Sequence, residues 1–369
     1  MDFEIGFSCV AKIFYSMAGE GRGHAARAWT LVELLRNNHE ITLFAPHDAF
    51  SLLQPRYEGS AIGVRRIQGL RFSYDENQQL DMFRTLNGFF DYLNDARPLI
   101  RQLAGEIRRE SPDLVITDFE PALPRAALEC GVPFISLDHQ HFLTVYDLSS
   151  LPGMLRVHAL YMGLVVRLFY SGQASTVVSS FYFPPLKANC HGVKQVGVLL
   201  RDDIANATPS RGGFLLVYLR KSLNRRLLEA IRASGYPARV YGTPPIPPFQ
   251  GGEKMAFCPH EHGSFQRNLI ECDALITTAG NQLVGEALYL GKPVLALPEL
   301  GNYEQYMNAH FLRQSGGGDW VDFANVEVSH IENFVSRLDH FRASIKHERL
   351  NGNSAVLAEI NRFLPVPAE

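Results

Sequence analysis

The residues best placed to do chemistry form two blocks far apart in the chain. The more specific one is Thr277-Thr278-Ala279-Gly280-Asn281-Gln282-Leu283-Val284-Gly285-Glu286, followed by Gly291-Lys292-Pro293, Pro298, Glu304-Gln305 and Asn308-Ala309. An apolar strand over 274–277 runs into a small-residue turn at Ala279-Gly280, and a helix starts there. The first N–H groups of a helix are unpaired and carry partial positive charge. Thr278, Ala279, Gly280 and Asn281 are therefore expected to supply a phosphate turn. Glu286, one to two turns on, can accept hydrogen bonds from both hydroxyls of a ribose. A second apolar strand over 293–297 ends at Pro298, and a loop is expected to deliver Glu304 and Gln305 to the hydroxyls of a sugar. This layout points to a sugar nucleotide rather than to nucleotides in general.

The other block is Gly19-Glu20-Gly21-Arg22-Gly23-His24-Ala25-Ala26-Arg27, which follows a buried strand over 12–17. Taking a proton from a hydroxyl needs a base that titrates near the working pH, and imidazole fits, so His24 is the candidate base. The competing reading is a histidine that caps or packs a helix start. Asp118 ends an apolar strand over 114–117, where a carboxylate can fix one ring tautomer and stabilise the imidazolium. Its alternative role is a cap for the helix near Pro121, with Glu20 or Glu120 then supplying the carboxylate. Gly19, Gly21 and Gly23 let backbone approach a ligand without a Cβ clash. Arg22 and Arg27 are expected to meet acceptor or donor phosphates, against a reading as solvated surface cations. Arg220, just after a strand over 214–219, matches the geometry of a leaving diphosphate. The match to GxGxxG is imperfect, and strand two ends at Phe44-Ala45-Pro46 without the acidic residue a dinucleotide fold uses, which argues against NAD. His139 and His141 flank Gln140, but no third ligand is evident nearby, so no metal is expected. No cofactor is expected either, the sugar nucleotide being a co-substrate.

Strand and helix signals alternate almost throughout, the pattern of an α/β fold with parallel sheets. The polar, Pro- and Gly-containing stretch 201–213 reads as a linker. It divides an acceptor-binding domain over 1–200 from a nucleotide-sugar-binding domain over 214–345, with a terminal helical segment over 346–369. The 369 residues suit two domains of ordinary size. Two such halves place a cleft between the carboxyl ends of their sheets, where ligands of open α/β sheets bind. A long helix is expected over 86–109, bent near Pro98. A formal charge of −3 gives no global basic field and argues against nucleic acid as a partner. The five scattered cysteines form no CxxC pair and fit reduced thiols in the cytoplasm. The acidic start lacks the basic lead of a signal peptide. Segment 151–170 reads as a buried helix, with docking on the inner face of a membrane, or a lipid acceptor, as the competing reading. The oligomeric state is not legible.

Taken together, these blocks resemble GT-B glycosyltransferases. The nearer likeness is to the family 28 group, which includes the lipid-linked N-acetylglucosaminyltransferase of peptidoglycan synthesis. The residues that carry it are Gly19 to Arg27, Asp113-Leu114-Val115-Ile116-Thr117-Asp118, and the Ala279 to Ala309 block. The resemblance implies two Rossmann-like domains across a cleft and an inverting, metal-independent transfer from a nucleotide sugar, most simply a UDP-sugar. The acceptor is then a glycan, a lipid-linked molecule or a small molecule. His24 matches the family's base, Asp118 its partner, Glu286 the ribose carboxylate and Gln305, with Glu304, the sugar-binding pair. There are departures. Glu304 stands where Asp is frequent, Thr278 where the plant branch has His, and Arg220-Lys221 where many relatives have a Gly-Ser turn. An epimerase of the same fold and a non-catalytic nucleotide-sugar sensor remain the alternative classes.

Overall fold

The computed structural model describes residues 10–19, 22–70, 88, 92, 95–169, 171–219, 224–245, 247, 249, 252, 254–259 and 263–365, with the backbone alone at Arg22. Glu20, Gly21, Arg220 and the start of the helix expected over 86–109 lie outside the described residues.

The first half runs β1 (Lys12–Met17), α1 (Arg22–Leu35), β2 (Glu40–Ala45), α2 (His47–Tyr57), β3 (Gly63–Arg66), α3 (Arg97–Glu110), β4 (Leu114–Asp118), α4 (Ala122–Cys130), β5 (Phe134–Asp138), α5 (Phe142–Val145), α6 (Gly153–Phe169), β6 (Ser175–Ser179) and β7 (Val193–Val196). A short helix, α7 (Asp202–Ala205), falls where the sequence predicts a linker. The second half runs β8 (Leu215–Tyr218), α8 (Arg225–Ser234), β9 (Ala238–Tyr241), β10 (Met255–Phe257), α9 (Ser264–Glu271), β11 (Ala274–Thr277), α10 (Asn281–Tyr289), β12 (Val294–Ala296), α11 (Tyr303–Ser315), β13 (Gly318–Trp320), α12 (Val328–Ser336), α13 (Leu338–Ser344) and α14 (Asn353–Asn361).

Among the described residues the strands form two parallel sheets, of order β3-β2-β1-β4-β5-β6-β7 and β10-β9-β8-β11-β12-β13. Each order reverses once, between β1 and β4 and between β8 and β11, and that reversal opens a crevice at the strands' carboxyl ends. The central strands are buried on both faces, as helices on both sides of a parallel sheet require; β4 and β5 have no exposed position. In α3 the buried residues Leu99, Ile100, Leu103, Ala104 and Ile107 recur at helical spacing and pack toward α4. Pro98 sits in the first turn of α3, where its missing N–H costs nothing, rather than at a bend.

The chain ends by returning to the first half. Val356, Ile360 and Leu364 share a core with Ala28, Leu31 and Val32 of α1, and Ser175 donates to Glu359 at 2.7 Å. The join is tight. Gly352 N–H donates to Val198 O at 3.0 Å, and the Asn353 side chain bonds both the N–H and the carbonyl of Leu200, at 2.9 and 2.7 Å. A Cβ on Gly352 would run into the Gly197 carbonyl.

The helix predicted over 151–170 forms as α6, but it is buried on one face only, and its outer face is exposed and apolar.

Two glycine substitutions separate packing from backbone entropy. Gly352→Ala is expected to cost about 2 kcal/mol through overpacking. Gly105→Ala, in the interior of α3 with open space around it, is expected to add about 0.5–1 kcal/mol. Urea denaturation of the two variants checks both signs.

Candidate active site

The first crevice is built around Asp118. It ends β4 opposite Met17 of β1, has no exposed surface, and lies beside the start of α1. Arg27 Nη1 donates to both Asp118 oxygens at 2.7 Å, and His24 Nδ1 sits 2.8 Å from Oδ1. The His24 side chain keeps 13% of its surface. With Nδ1 engaged, Nε2 is the ring nitrogen left to face a hydroxyl. Burial works against the Arg27 charge, but Asp118, helped by Tyr15 and Asp138, more than offsets it, and the guanidinium's pKa is raised. Burial, then Asp118, pushes the Tyr15 phenol well above its usual range, so it stays protonated.

This corrects two expectations. Arg27 is no phosphate ligand: it is 3% exposed and bound to Asp118. Nor does Asp118 cap a helix. Glu120 does, accepting from Ala122 N–H at 2.7 Å and Leu123 N–H at 3.0 Å, which removes it as a substitute partner for His24. Burial raises the Glu120 pKa, and those N–H groups pull it back. The glycines also divide. A Cβ on Gly19 would lie 2.8 Å from Pro46 Cγ, so this glycine admits the loop after β2 rather than a ligand. Gly23, in the first turn of α1, has nothing within 4 Å of such a Cβ and does leave room. Next to this loop lies a pocket lined mainly by Ala18, Gly19, Leu70, Phe119, Pro121 and Phe169, predominantly apolar.

The second crevice is built around the turn into α10. Ala279 takes φ 61°, a left-handed conformation that costs a non-glycine residue about 1 kcal/mol or more. Phe119, after β4, and His47, after β2, share this feature with φ 57° and 44°. Strained residues thus stand at three strand ends that face the cleft. Asn308 Nδ2 holds the Ala279 carbonyl at 3.0 Å, and Asn308 Oδ1 accepts from Tyr182 at 2.9 Å. His139 Nε2 is 3.1 Å from the same oxygen and its Nδ1 3.2 Å from Ser179 O; a neutral ring donates to one of them. Burial lowers the His139 pKa, only partly countered by Glu304. A Cβ on Gly280 would meet nothing within 4 Å, so the helix N-terminus opens onto free space.

Those donor residues predicted from sequence that are described lie at or near this turn, but several are already engaged. The Asn281 side chain donates to Ser179 O at 3.0 Å and accepts from Phe181 N–H at 3.4 Å, bridging the cleft; its backbone N–H remains at the helix start. Thr278 is buried. Glu286, expected to stand open to a ribose, is 4% exposed. It accepts from Gln282 at 3.0 Å and from Arg201 at 3.4 Å. Arg201 in turn lies 5.3 Å from the Trp29 ring of α1, so the helix of His24 and the helix of Glu286 are neighbours. Glu304 and Gln305 sit in the first turn of α11, not on a loop. Glu304 accepts from Gln140 at 3.4 Å across the cleft, whereas Gln305 braces Glu299, accepting from its N–H at 2.8 Å. His141 pairs with Asp138 at 2.7 Å, and among the described residues no group of three possible metal ligands occurs.

Sequence reasoning missed Arg201, Tyr182 and Gln140. Asn308 stood in the C-terminal motif block without a role, and its bond to the Ala279 carbonyl gives it one.

The family model described as glycosyl transferase family 1 matches residues 11–339, and the chain belongs to that family of enzymes. No curated protein matches it by sequence. Among solved structures, a UDP-glucosyltransferase from Polygonum tinctorium superposes with a TM-score of 0.71 at 13% identity, covering 96% of this chain and 99% of that one. A Phytolacca americana enzyme, UGT2, solved with UDP-2fluoro-glucose and pterostilbene, gives 0.69 at 14% identity, covering 96% and 99%. The calicheamicin glycosyltransferase CalG4 gives 0.67 at 17% identity, covering 96% and 98%. These likenesses show the GT-B fold.

Asp118→Ala leaves Arg27 a buried cation without its counter-charge and is expected to cost about 3–5 kcal/mol. Arg27→Met with Asp118→Leu, which removes both charges, is expected to cost less than that single change, as read by urea denaturation. His139 yields a pH test. Its folded pKa lies below the unfolded reference of 6.5, so the unfolded chain binds more protons in acid. Its contribution is intact above that value and is lost as pH falls below it. The slope of melting temperature between pH 7 and 5 is expected to flatten in His139→Asn.

Proposed function

We propose that this enzyme moves a sugar from a UDP-sugar to a hydroxyl of a largely apolar acceptor, with inversion and without a metal. One observation carries the reading: the His24–Asp118 pair and the open N-terminus of α10 stand at the reversal points of two sheets whose carboxyl ends are bonded to one another. The acceptor hydroxyl gives its proton to His24 Nε2. Its oxygen attacks the anomeric carbon from the side of α1, and the bond to the diphosphate oxygen breaks on the side of α10. One displacement inverts the centre. The leaving charge falls on the free N–H groups of α10, which supply the compensation a metal would otherwise give.

The ribose is assigned to Glu286, displacing the long contact from Arg201. Glu304, in the first turn of α11, is assigned to the sugar hydroxyls, and Gln305 to holding that turn in place. The acceptor is assigned to the apolar mouth of the cleft beside Leu70, Phe119 and Phe169. Neighbours solved with UDP, with UDP-2fluoro-glucose and pterostilbene, and with dTDP support a pyrimidine nucleotide and an apolar acceptor. The finer likeness to the lipid-linked N-acetylglucosaminyltransferase group rests on the motif residues, and with it the reading of a lipid-borne acceptor.

A thermal-shift panel of UDP-, dTDP- and GDP-sugars tests the donor. A ligand held only by the folded state adds about 2.7 kcal/mol at a hundredfold excess over Kd. The UDP-sugars are expected to raise the wild-type melting temperature, with or without EDTA, and to raise that of Glu286→Ala much less. No shift with any nucleotide removes the donor assignment, and a shift abolished by EDTA removes the metal-independent part.

A further inference from the structure

Among the described residues ten large hydrophobic side chains are exposed, and six of them lie on α6: Met154, Val157, Leu160, Tyr161, Leu164 and Leu168. That concentration makes them a patch rather than scatter. At 3.6 residues per turn the six fall within about 120° of arc, one continuous stripe over about 21 Å of helix. The six range from 40% exposed at Tyr161 to 70% at Leu160, so the stripe is open to solvent along its length. The opposite face is rooted in the core through Leu155, Ala159, Val166 and Phe169. α6 carries no Asp or Glu, and Arg156 and Arg167 follow one edge of the stripe, about 20° apart around the axis.

We infer that this face docks α6 on an anionic lipid surface, which brings a membrane-borne acceptor to the mouth of the cleft. An apolar stripe edged by cations is the pattern of a helix lying in a bilayer interface, its apolar side about 5–10 Å deep. A second copy of the chain fits the stripe less well. One helix face of this length offers about 200 Å² in projection, against the roughly 800 Å² per partner of a stable protein interface. No helix among the described residues is long and apolar enough to cross a membrane, so α6 lies on the surface rather than through it. α6 reaches the candidate site at two points, its second turn and its C-terminal end. His158 stacks on Tyr303, beside Glu304, with ring centroids 3.3 Å apart, and Phe169 lines the pocket near the glycine loop. A hydroxyl at the head of a lipid held at the Phe169 end of α6 lies beside the apolar mouth assigned to the acceptor. That consequence rests on the transfer reading above, whereas the docking itself does not.

Co-sedimentation of the full chain with vesicles tests it. Wild type is expected to sediment with phosphatidylcholine vesicles containing phosphatidylglycerol, and more weakly with phosphatidylcholine alone. Leu160→Glu with Leu164→Glu is expected to weaken that partition by about a hundredfold. The same variant keeps its nucleotide-dependent melting shift, which shows it is folded. Arg156→Gln with Arg167→Gln is expected to remove the preference for the anionic vesicles. The inference is overturned if wild type stays in solution with both vesicles, or if the Leu variant sediments like wild type. It is also overturned if sedimentation velocity shows a wild-type dimer that the Leu variant dissolves. His24→Ala binds vesicles as wild type does, so failure of the transfer chemistry and failure of docking give different results.

Discussion

A carboxylate with no exposed surface must be neutralised where it sits. Asp118 is such a group, and the first crevice is arranged to meet that demand. The end of β4 fixes its backbone beside β1, and α1 returns two residues to it one turn apart. Arg27 holds both oxygens, and His24 takes the remaining edge of one of them. Because Arg27 fixes the carboxylate, the ring that leans on it has one orientation. Stability therefore depends on this charge, and on the transfer mechanism proposed above so does the chemistry.

The second constraint is the way the two halves hold each other. Asn281, at the start of α10, and Asn308, in the second turn of α11, reach Ser179, Phe181, Tyr182 and His139 at the ends of β5 and β6. Asn308 also fixes the strained Ala279 carbonyl, so the turn proposed to face a phosphate is braced by a residue that the opposite half holds in place through Tyr182 and His139. Glu286 is closed off by Arg201, itself laid over Trp29 of α1. Donor entry on this account exchanges protein contacts for ligand contacts, and contacts across the cleft become part of donor affinity. Burial keeps His139 neutral, so this brace weakens in acid.

Much of this was legible in the sequence. Alternating apolar strands and amphipathic helices report a period, and a period survives in one dimension. Both sheets and the position of Asp118 at a strand end follow from it. The turn at Ala279-Gly280 was legible because loop chemistry is local, whereas Glu286, expected to stand open, is closed off by Gln282 and Arg201. Partners were not. Nothing near Arg27 in the chain says that its charge is claimed by a residue 91 positions away, or that Glu120 rather than Asp118 caps α4. α2 contains Pro55, and β13 is three residues long, so neither carries a clear periodic signal. The exposed face of α6 was unreadable because an apolar helix looks the same in sequence whether its outer side meets protein or not.

The claim on which the account turns is that His24, oriented by Asp118, takes the acceptor proton. Its most direct test is the turnover rate of nucleoside diphosphate release in wild type and His24→Ala, with donor Kd measured by calorimetry on both. The account predicts that kcat falls about a thousandfold while Kd stays within about twofold. A variant that turns over at the wild-type rate would contradict it, as would one whose loss of rate is matched by an equal loss of donor binding.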